Sequence, residues 1–154
     1  MAKELLSHEN FDSIQSNSLW FAIRSPNLEM AKLLLTSGKN IDVEKTLRIR
    51  IFTFTPLQFC AENGKSEIVQ LLLPLSDINK GDEDDWTALH FAACHGHLSI
   101  VSLLLSQEGI DINKKNIFGS TPLDYARAMN HRSVESELKR KGGRYEGREN
   151  AHLN

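Results

Sequence analysis

Thr55 to Leu73 reads TPLQFCAENGKSEIVQLLL, and Thr87 to Leu105 reads TALHFAACHGHLSIVSLLL. Laid over one another, Thr, Leu, Phe, Ala, Gly, Ile, Val and the closing leucine triplet fall in register, 32 residues apart. A third copy, TPLDYARAMNHRSVESELK, starts 34 residues further on at Thr121, and a weaker fourth, NSLWFAIRSPNLEMAKLLL, runs from Asn17 to Leu35. A period of this length constrains the fold more than any local motif. It makes the chain a row of similar units, each too small to bury its own apolar face.

Each unit reads as two short helices. Thr55-Pro56 and Thr121-Pro122 pair a helix N-cap with proline at the first helical position, where the missing N–H is not needed and the fixed φ suits the helix. Thr87-Ala88 and Asn17-Ser18 keep the cap without the proline. Gly64 and Gly96 then end the first helix in a left-handed conformation that Asn130 tolerates and Pro26 cannot adopt, so the first unit must turn differently. The second helix carries Ile68, Val69, Leu71, Leu72 and Leu73 in one copy and Ile100, Val101, Leu103, Leu104 and Leu105 in the next. Those positions cover more than half the circumference, which requires neighbours on both sides and therefore stacking.

The pattern resembles the ankyrin repeat family. The residues that carry the likeness are TPL or TALH, Ala92-Ala93, Gly96-His97, Ile100-Val101, the leucine triplets, and DIN at Asp77–Asn79 and Asp111–Asn113. The likeness covers roughly 17–141, with the unit at 81–113 matching almost throughout. It implies an all-α repeat solenoid of helix-turn-helix units joined by β-hairpin fingers, and a non-catalytic role in binding other proteins. The expected organisation is an N-terminal extension (1–16), a capping unit (17–42), a second unit with a lengthened finger (43–79), a third (80–113), a fourth that caps (114–142) and a polar tail (143–154).

The totals agree with one globular domain: 40% hydrophobic, 25% charged, net charge −2. No basic excess suggests nucleic acid, and no apolar run approaches the roughly 20 residues of a membrane span. The opening MAKELLSHENFDSIQ lacks the apolar stretch of a secretory signal, and two cysteines make no disulfide framework. The expectation is a soluble, intracellular and monomeric protein, cytoplasmic with the nucleus open, that uses no cofactor and meets neither nucleic acid nor membrane.

His90, Cys94, His95 and His97 raise the question of a metal or a nucleophile. The other units answer it: their slots hold Trp20, Gln58 and Asp124 for His90, Arg24, Glu62 and Ala128 for Cys94, Ser25, Asn63 and Met129 for His95, and Asn27, Lys65 and His131 for His97. His95 also lies about 100° round the helix from Cys94, and His97 falls beyond the helix-ending glycine. No metal and no catalytic residue is expected. Within the family likeness, His90 should bond Thr87 and the neighbouring finger; Gln58 and Asp124 have the chemistry to do the same, while Trp20 should pack differently.

Two other motifs fail on position, and a third has a plainer reading. Asn63-Gly64-Lys65-Ser66 ends like a phosphate loop, but Phe59 stands where that loop needs glycine. Asp77–Asp85 has the acids of a calcium loop, yet Gly81, Asp82 and Ala88 break its pattern, leaving an acidic finger tip. Lys139–Arg144 resembles a nuclear-localisation patch but fits cations at the end of the last helix. Cys60 and Cys94 occupy different slots on packed helices too far apart for a disulfide, Cys60 as a small core residue and Cys94 facing the groove. The tail after Arg144 lacks periodicity and should fray.

In this family ligands usually meet the finger tips and the exposed side of the first helices. Carried onto this chain, those slots are Phe52, Phe54, Glu62 and Asn63; Glu83, Asp84, Trp86, Cys94 and His95; and Ile117, Phe118, Ser120 and Met129. Trp86 and Phe118 are expected to bind, and Phe54 to bind or to pack between fingers with equal weight. The first finger is five residues longer, since Asp42 to Leu57 is 15 steps against 10 from Asn79 to Leu89 and from Asn113 to Leu123. Its insert, TLRIRIFTFT, alternates Leu47, Ile49 and Ile51 with Arg48 and Arg50, the period of a half-buried strand. The expected function is partner binding through the concave face and finger tips, the alternative being an inhibitory or substrate-recruiting subunit of an enzyme. A hydrolase built on Cys94 and His95 is the remote third.

Overall fold

The computed structural model describes residues 18–38, 40–49 and 52–146, and the side chains of all of these except Phe52. The N-terminal extension at 1–16, Arg50 and Ile51 of the first finger, and the tail beyond Glu146 lie outside the described residues. Among the described residues, eight helices follow in pairs: α1 (18–24) with α2 (Glu29–Thr36), α3 (Pro56–Glu62) with α4 (Ser66–Leu72), α5 (Ala88–Cys94) with α6 (Leu98–Leu105), and α7 (Pro122–Ala128) with α8 (Arg132–Arg140). A 3-10 turn, Leu73–Leu75, extends α4 around Pro74.

Helices of like rank stack. First helices α3, α5 and α7 lie side by side, as do second helices α2, α4, α6 and α8. The packing explains the sequence period: Leu57, Leu89 and Leu123 of the first helices, with Ile68, Ile100, Leu72 and Leu104 of the second, are buried along one continuous core. The recurrence of small residues from unit to unit has the same cause. Cys60, Ala61, Ala92, Ala93 and Ala126 are all fully buried, where first helices approach closely.

Each of the last three first helices opens on a reciprocal cap. The Thr55, Thr87 and Thr121 hydroxyls accept the backbone N–H three residues on, while Gln58, His90 and Asp124 reach back to the threonine N–H. Gly64 (φ +72°) and Gly96 (φ +74°) turn the chain into the second helix, and Asn130 takes the same conformation at φ +60°. A second constraint applies at the glycines: a Cβ on Gly64 would stand 2.9 Å from the His97 ring, and one on Gly96 2.6 Å from that of His131. In the first unit, Pro26 forbids this turn. Ser25 Oγ and Asn27 Oδ1 instead accept the backbone N–H groups of Asn27 and Glu29, at 3.2 and 3.0 Å.

The fingers differ from the expectation of hairpins throughout. Only the first carries strands among the described residues: β1 (Leu47–Ile49) pairs antiparallel with β2 (Phe52–Phe54), in register Leu47 with Phe54, Arg48 with Thr53 and Ile49 with Phe52. Leu47 and Ile49 pack towards the core and Arg48 is exposed, so the insert adopts the alternation written in its sequence. The later fingers are too short for a ladder and close on one turn each. Asp82 N–H donates to Trp86 O and Asn116 N–H to Ser120 O, both at 3.0 Å. The Asp82 carboxylate accepts from the amides of Asp84 and Trp86, and Asn116 Oδ1 from those of Phe118 and Ser120. One of the five acids between Asp77 and Asp85 is thus engaged within its own loop.

Tyr145 and Glu146, the described start of the tail, are docked: Glu146 N–H lies 3.3 Å from both Asp124 carboxylate oxygens, and its own carboxylate is 3.0 Å from Lys115 Nζ. Asn113 Nδ2 donates to Gly142 O at 3.1 Å and its Oδ1 accepts from Arg144 N–H at 2.7 Å, the same two-sided clip that Asn79 makes with Gly109 O and Asp111 N–H. The segment after α8 therefore copies the start of another link. At the other end, Phe21, Met30 and Leu33 of the first unit stand exposed.

Candidate functional site

The histidine-rich stretch is structural. His90 is fully buried, its Nδ1 2.9 Å from Thr87 Oγ1 and its Nε2 3.1 Å from Ser120 O in the following finger. Burial holds its pKa down at about 4, so the ring is neutral at physiological pH. Gln58 does the same work one unit earlier, donating through Nε2 to Lys80 O and Trp86 O at 2.9 and 3.2 Å. Trp20 copies the link after all: its indole N–H donates to Lys45 O at 2.9 Å, so the first helix is tied to the next finger by a donor of another shape.

His97 and His131 form a second series that slot comparison could have revealed, since both units place histidine just after the left-handed turn. His97 Nε2 lies 2.9 Å from Glu62 O and His131 Nε2 2.9 Å from Cys94 O. Each ring satisfies a carbonyl at the end of the preceding first helix. His95 hydrogen-bonds Phe91 O at 3.0 Å and stacks on His97, with ring centroids 6.1 Å apart. Among the described residues no group of three or more His, Cys, Asp and Glu side chains is arranged to hold a metal ion.

Both cysteines are free. Burial pushes the Cys60 thiol up to about 12. Cys94, half-buried, is also raised, by burial first and then by the nearby Glu62 carboxylate. A nucleophile needs the opposite shift.

The aromatic residues assigned to the fingers divide into two groups. Phe54 is buried, 5.2 Å from Phe91 and 6.2 Å from Phe59 between ring centroids, and is not available to a partner. Trp86 is half-buried between Phe91 at 5.2 Å and Tyr125 at 4.3 Å, with His90 at 5.9 Å. Together with the Trp20–Phe59 contact at 5.6 Å, these rings form one ladder running from unit to unit. Both stand immediately before the cap threonine, and alternation along the extended approach turns that position inward. Phe54 thus takes the packing role that stood level with binding, while Trp86, expected to bind, is drawn partly inward.

Phe118 stands three residues before its threonine, at the turn itself, and is 68% exposed beside Ile117 at 58%. Gly119, at φ +76°, bends the chain behind them. Met129, exposed at the end of α7, lies in the next accessible slot of the same unit. Ser120 is half-buried, its carbonyl held by His90. The tips are linked: Ile117 N–H donates to Asp84 O at 3.1 Å, and Thr53 Oγ1 to Glu83 Oε1 at 2.9 Å. Glu83 and Asp85 are exposed and Asp84 half-buried, so the apolar tip stands beside an acidic one. Among the first-helix ends, Asn63 and His95 are exposed, and Glu62 and Cys94 half-buried.

A stack of capped helix pairs whose side chains reach into the next finger defines a repeat protein, held together by unit-to-unit contacts. The family model for ankyrin repeats in three copies matches residues 19–116 and 57–144, and the chain belongs to the ankyrin repeat family. Similar proteins include a transient receptor potential cation channel subfamily A member 1 homolog of Caenorhabditis elegans, 30% identical over 80% of this chain and 10% of its own. Human rabankyrin-5 is 35% identical over 65% of this chain and 9% of its own, and a putative glutaminase 2 of Caenorhabditis elegans 36% identical over 46% and 12%. The chain thus spans about a tenth of the length of these relatives. Repeats of this family generally act as protein–protein interaction modules, typically without catalysis. No helix among the described residues is long and apolar enough to cross a membrane.

Proposed function

We propose that this protein binds a partner protein through the tip of its last finger and the adjoining ends of its first helices, and performs no chemistry itself. The observation that carries the reading is the exposed pair Ile117 and Phe118, held on a turn that Asn116 and Gly119 fix in place. Large apolar side chains at a rigid projecting turn cost solvation and contribute nothing to the core; aromatic anchors of this kind dominate binding energy at interfaces. Met129 extends the apolar area. Glu83, Asp84 and Asp85 set a negative rim, favouring a partner with an apolar anchor flanked by cations. Asn63 and His95 complete the polar margin, while Trp86 supports the surface from behind.

Recognition uses a largely preformed surface, because the tips are already bonded to one another and to the caps beneath. The same surface serves an adaptor or a regulatory subunit of an enzyme. A match to a tenth of a glutaminase supplies no ground for activity in this chain. Photo-crosslinking tests the assignment. A benzoylphenylalanine at position 118 should give adducts of defined mass in cell extract, and one at Leu98, exposed on α6, should not. Equal labelling from both positions, or none from 118, would remove the basis for the site.

A further inference from the structure

The second finger, 80–86, and the last close on the same turn, so comparing their slots separates what the turn demands from what it leaves free. Glu83 and Asp84 stand in the slots of Ile117 and Phe118. One pair is acidic and the other apolar, although the bonds that close the two turns match. The left-handed slot differs too. Gly119 takes it at φ +76° in the last finger, and Asp85 at φ +58° in the second. Across the turn the glycine changes sides: Gly81 stands where the last finger has Lys115. A Cβ on Gly81 would lie 2.8 Å from Asp85 Cα and 2.9 Å from its Oδ1, so Asp85 requires glycine opposite. A carboxylate held in the left-handed region gives the turn nothing that glycine would not give.

The side chains left free by the turns stand in a definite order. On the first finger Arg48 is exposed and pairs across the hairpin with Thr53, whose Oγ1 donates to Glu83 Oε1 at 2.9 Å. Paired residues project from one face of a hairpin, so Arg48, Thr53 and Glu83 follow one another on that face. Asp84 O then accepts the Ile117 N–H, which ties the acidic tip to the apolar one. Neighbouring charges are already matched: Lys80 to Glu44 and Lys115 to Glu146, each at 3.0 Å. Among the described residues Arg48, Glu83 and Asp85 make no ion pair. From the first finger to the last, the row offers a cation, then acids, then an apolar pair.

We infer that the partner presents an extended peptide segment in which a basic residue stands between an acidic one and an apolar one. The acid lies over Arg48, the base over Glu83 and Asp85, and the apolar side chain on Ile117 and Phe118. This rests on the reading of Ile117 and Phe118 as a binding site and adds the order of charge that the partner must carry. Stacked units lie about 10 Å apart, a distance an extended chain covers in about three residues. The base falls in the middle whichever way the segment runs. Exposed ion pairs add little affinity, but like charges set opposite one another exclude the wrong order.

Two synthetic peptides of equal composition test the order by amide chemical-shift titration of the full chain. One spaces glutamate, arginine and leucine about three residues apart, with glycine and serine between; the other exchanges the glutamate and the arginine. The first should half-saturate the shifts of Ile117 and Phe118 at about a fivefold lower concentration in low salt, and added salt should erase the difference. Arg48→Glu with Glu83→Arg should abolish or invert the preference. Asp85→Gly should weaken the first peptide while raising the melting temperature by about 3 °C, since it relieves the left-handed turn. A lower melting temperature in that variant would return the carboxylate to the service of the turn and overturn its role here. Equal half-saturation by the two peptides would overturn the charge order and leave the apolar site standing. No shift at either residue with millimolar peptide would remove the apolar site as well.

Discussion

Trp86 and Phe118 are large aromatics on neighbouring fingers, and they have opposite fates. Trp86 lies in a ladder of rings that joins the second, third and fourth units. Phe118 stands in solvent. Both fingers use the same five-residue turn, closed by Asp82 in one and Asn116 in the other. The difference is two positions in the chain: one ring immediately precedes a cap threonine and the other sits at the turn. Residue type therefore says little about recognition in this fold, and place in the repeat says most. An aromatic before the threonine stabilises the stack; an aromatic at the turn is left for a partner.

The sharpest way to break that division is Trp86→Ala. Loss of contacts to Phe91, Tyr125 and His90 should cost about 3 kcal/mol in urea unfolding. A loss below about 0.5 kcal/mol would place the ring outside the packing, in the range of ordinary surface changes.

Acid provides a second test of comparable size, on the histidine beneath that ladder. The folded-state pKa of His90 is lowered to about 4 from an ordinary 6.5. The unfolded chain therefore binds the proton first, and stability is complete above pH 6.5 and lost as pH falls towards 4. The full loss is about 3 kcal/mol, from 1.36 kcal/mol for each unit of pKa difference. His90→Gln should flatten that stretch of the profile, because Gln58 already makes the equivalent bonds one unit earlier. A profile of unchanged steepness in the variant would move the proton to another group.

A smaller effect separates turns that carry a unit contact from turns that do not. Gly96→Ala should cost roughly 2–3 kcal/mol, since a left-handed alanine is strained and its methyl displaces the His131 ring from Cys94 O. Gly109→Ala, at φ +80° with open space around it, should cost only about 1 kcal/mol. Equal costs in thermal unfolding would mean that the histidine clip adds nothing.

Much of this architecture is legible in the sequence because stacking fixes it. The threonine caps, the glycine turns, the leucine slots and the strand-like insert all stand where their residues dictate. What escaped reading has physical reasons. Trp20 differs in type from Gln58, His90 and Asp124, yet its indole N–H donates to Lys45 O as an amide would. The His97 and His131 clips left a signal in their shared slot, but comparison of the slot with Asn27 and Lys65 obscured it. The finger membership of Phe54 and Trp86 is legible in the sequence, but the direction of their side chains is not. The docking of Gly142 and Arg144 depends on their backbone amide and carbonyls, which no side-chain pattern announces.

The most direct measurement is the unfolding free energy of Phe118→Ala beside that of Trp86→Ala, under the same urea titration. Ladder and tip as described here predict that Phe118→Ala stays within about 0.5 kcal/mol of the wild type, while Trp86→Ala falls by about 3 kcal/mol. Equal losses, or a larger loss at Phe118, would contradict the division between a ring that holds the stack and a ring that awaits a partner.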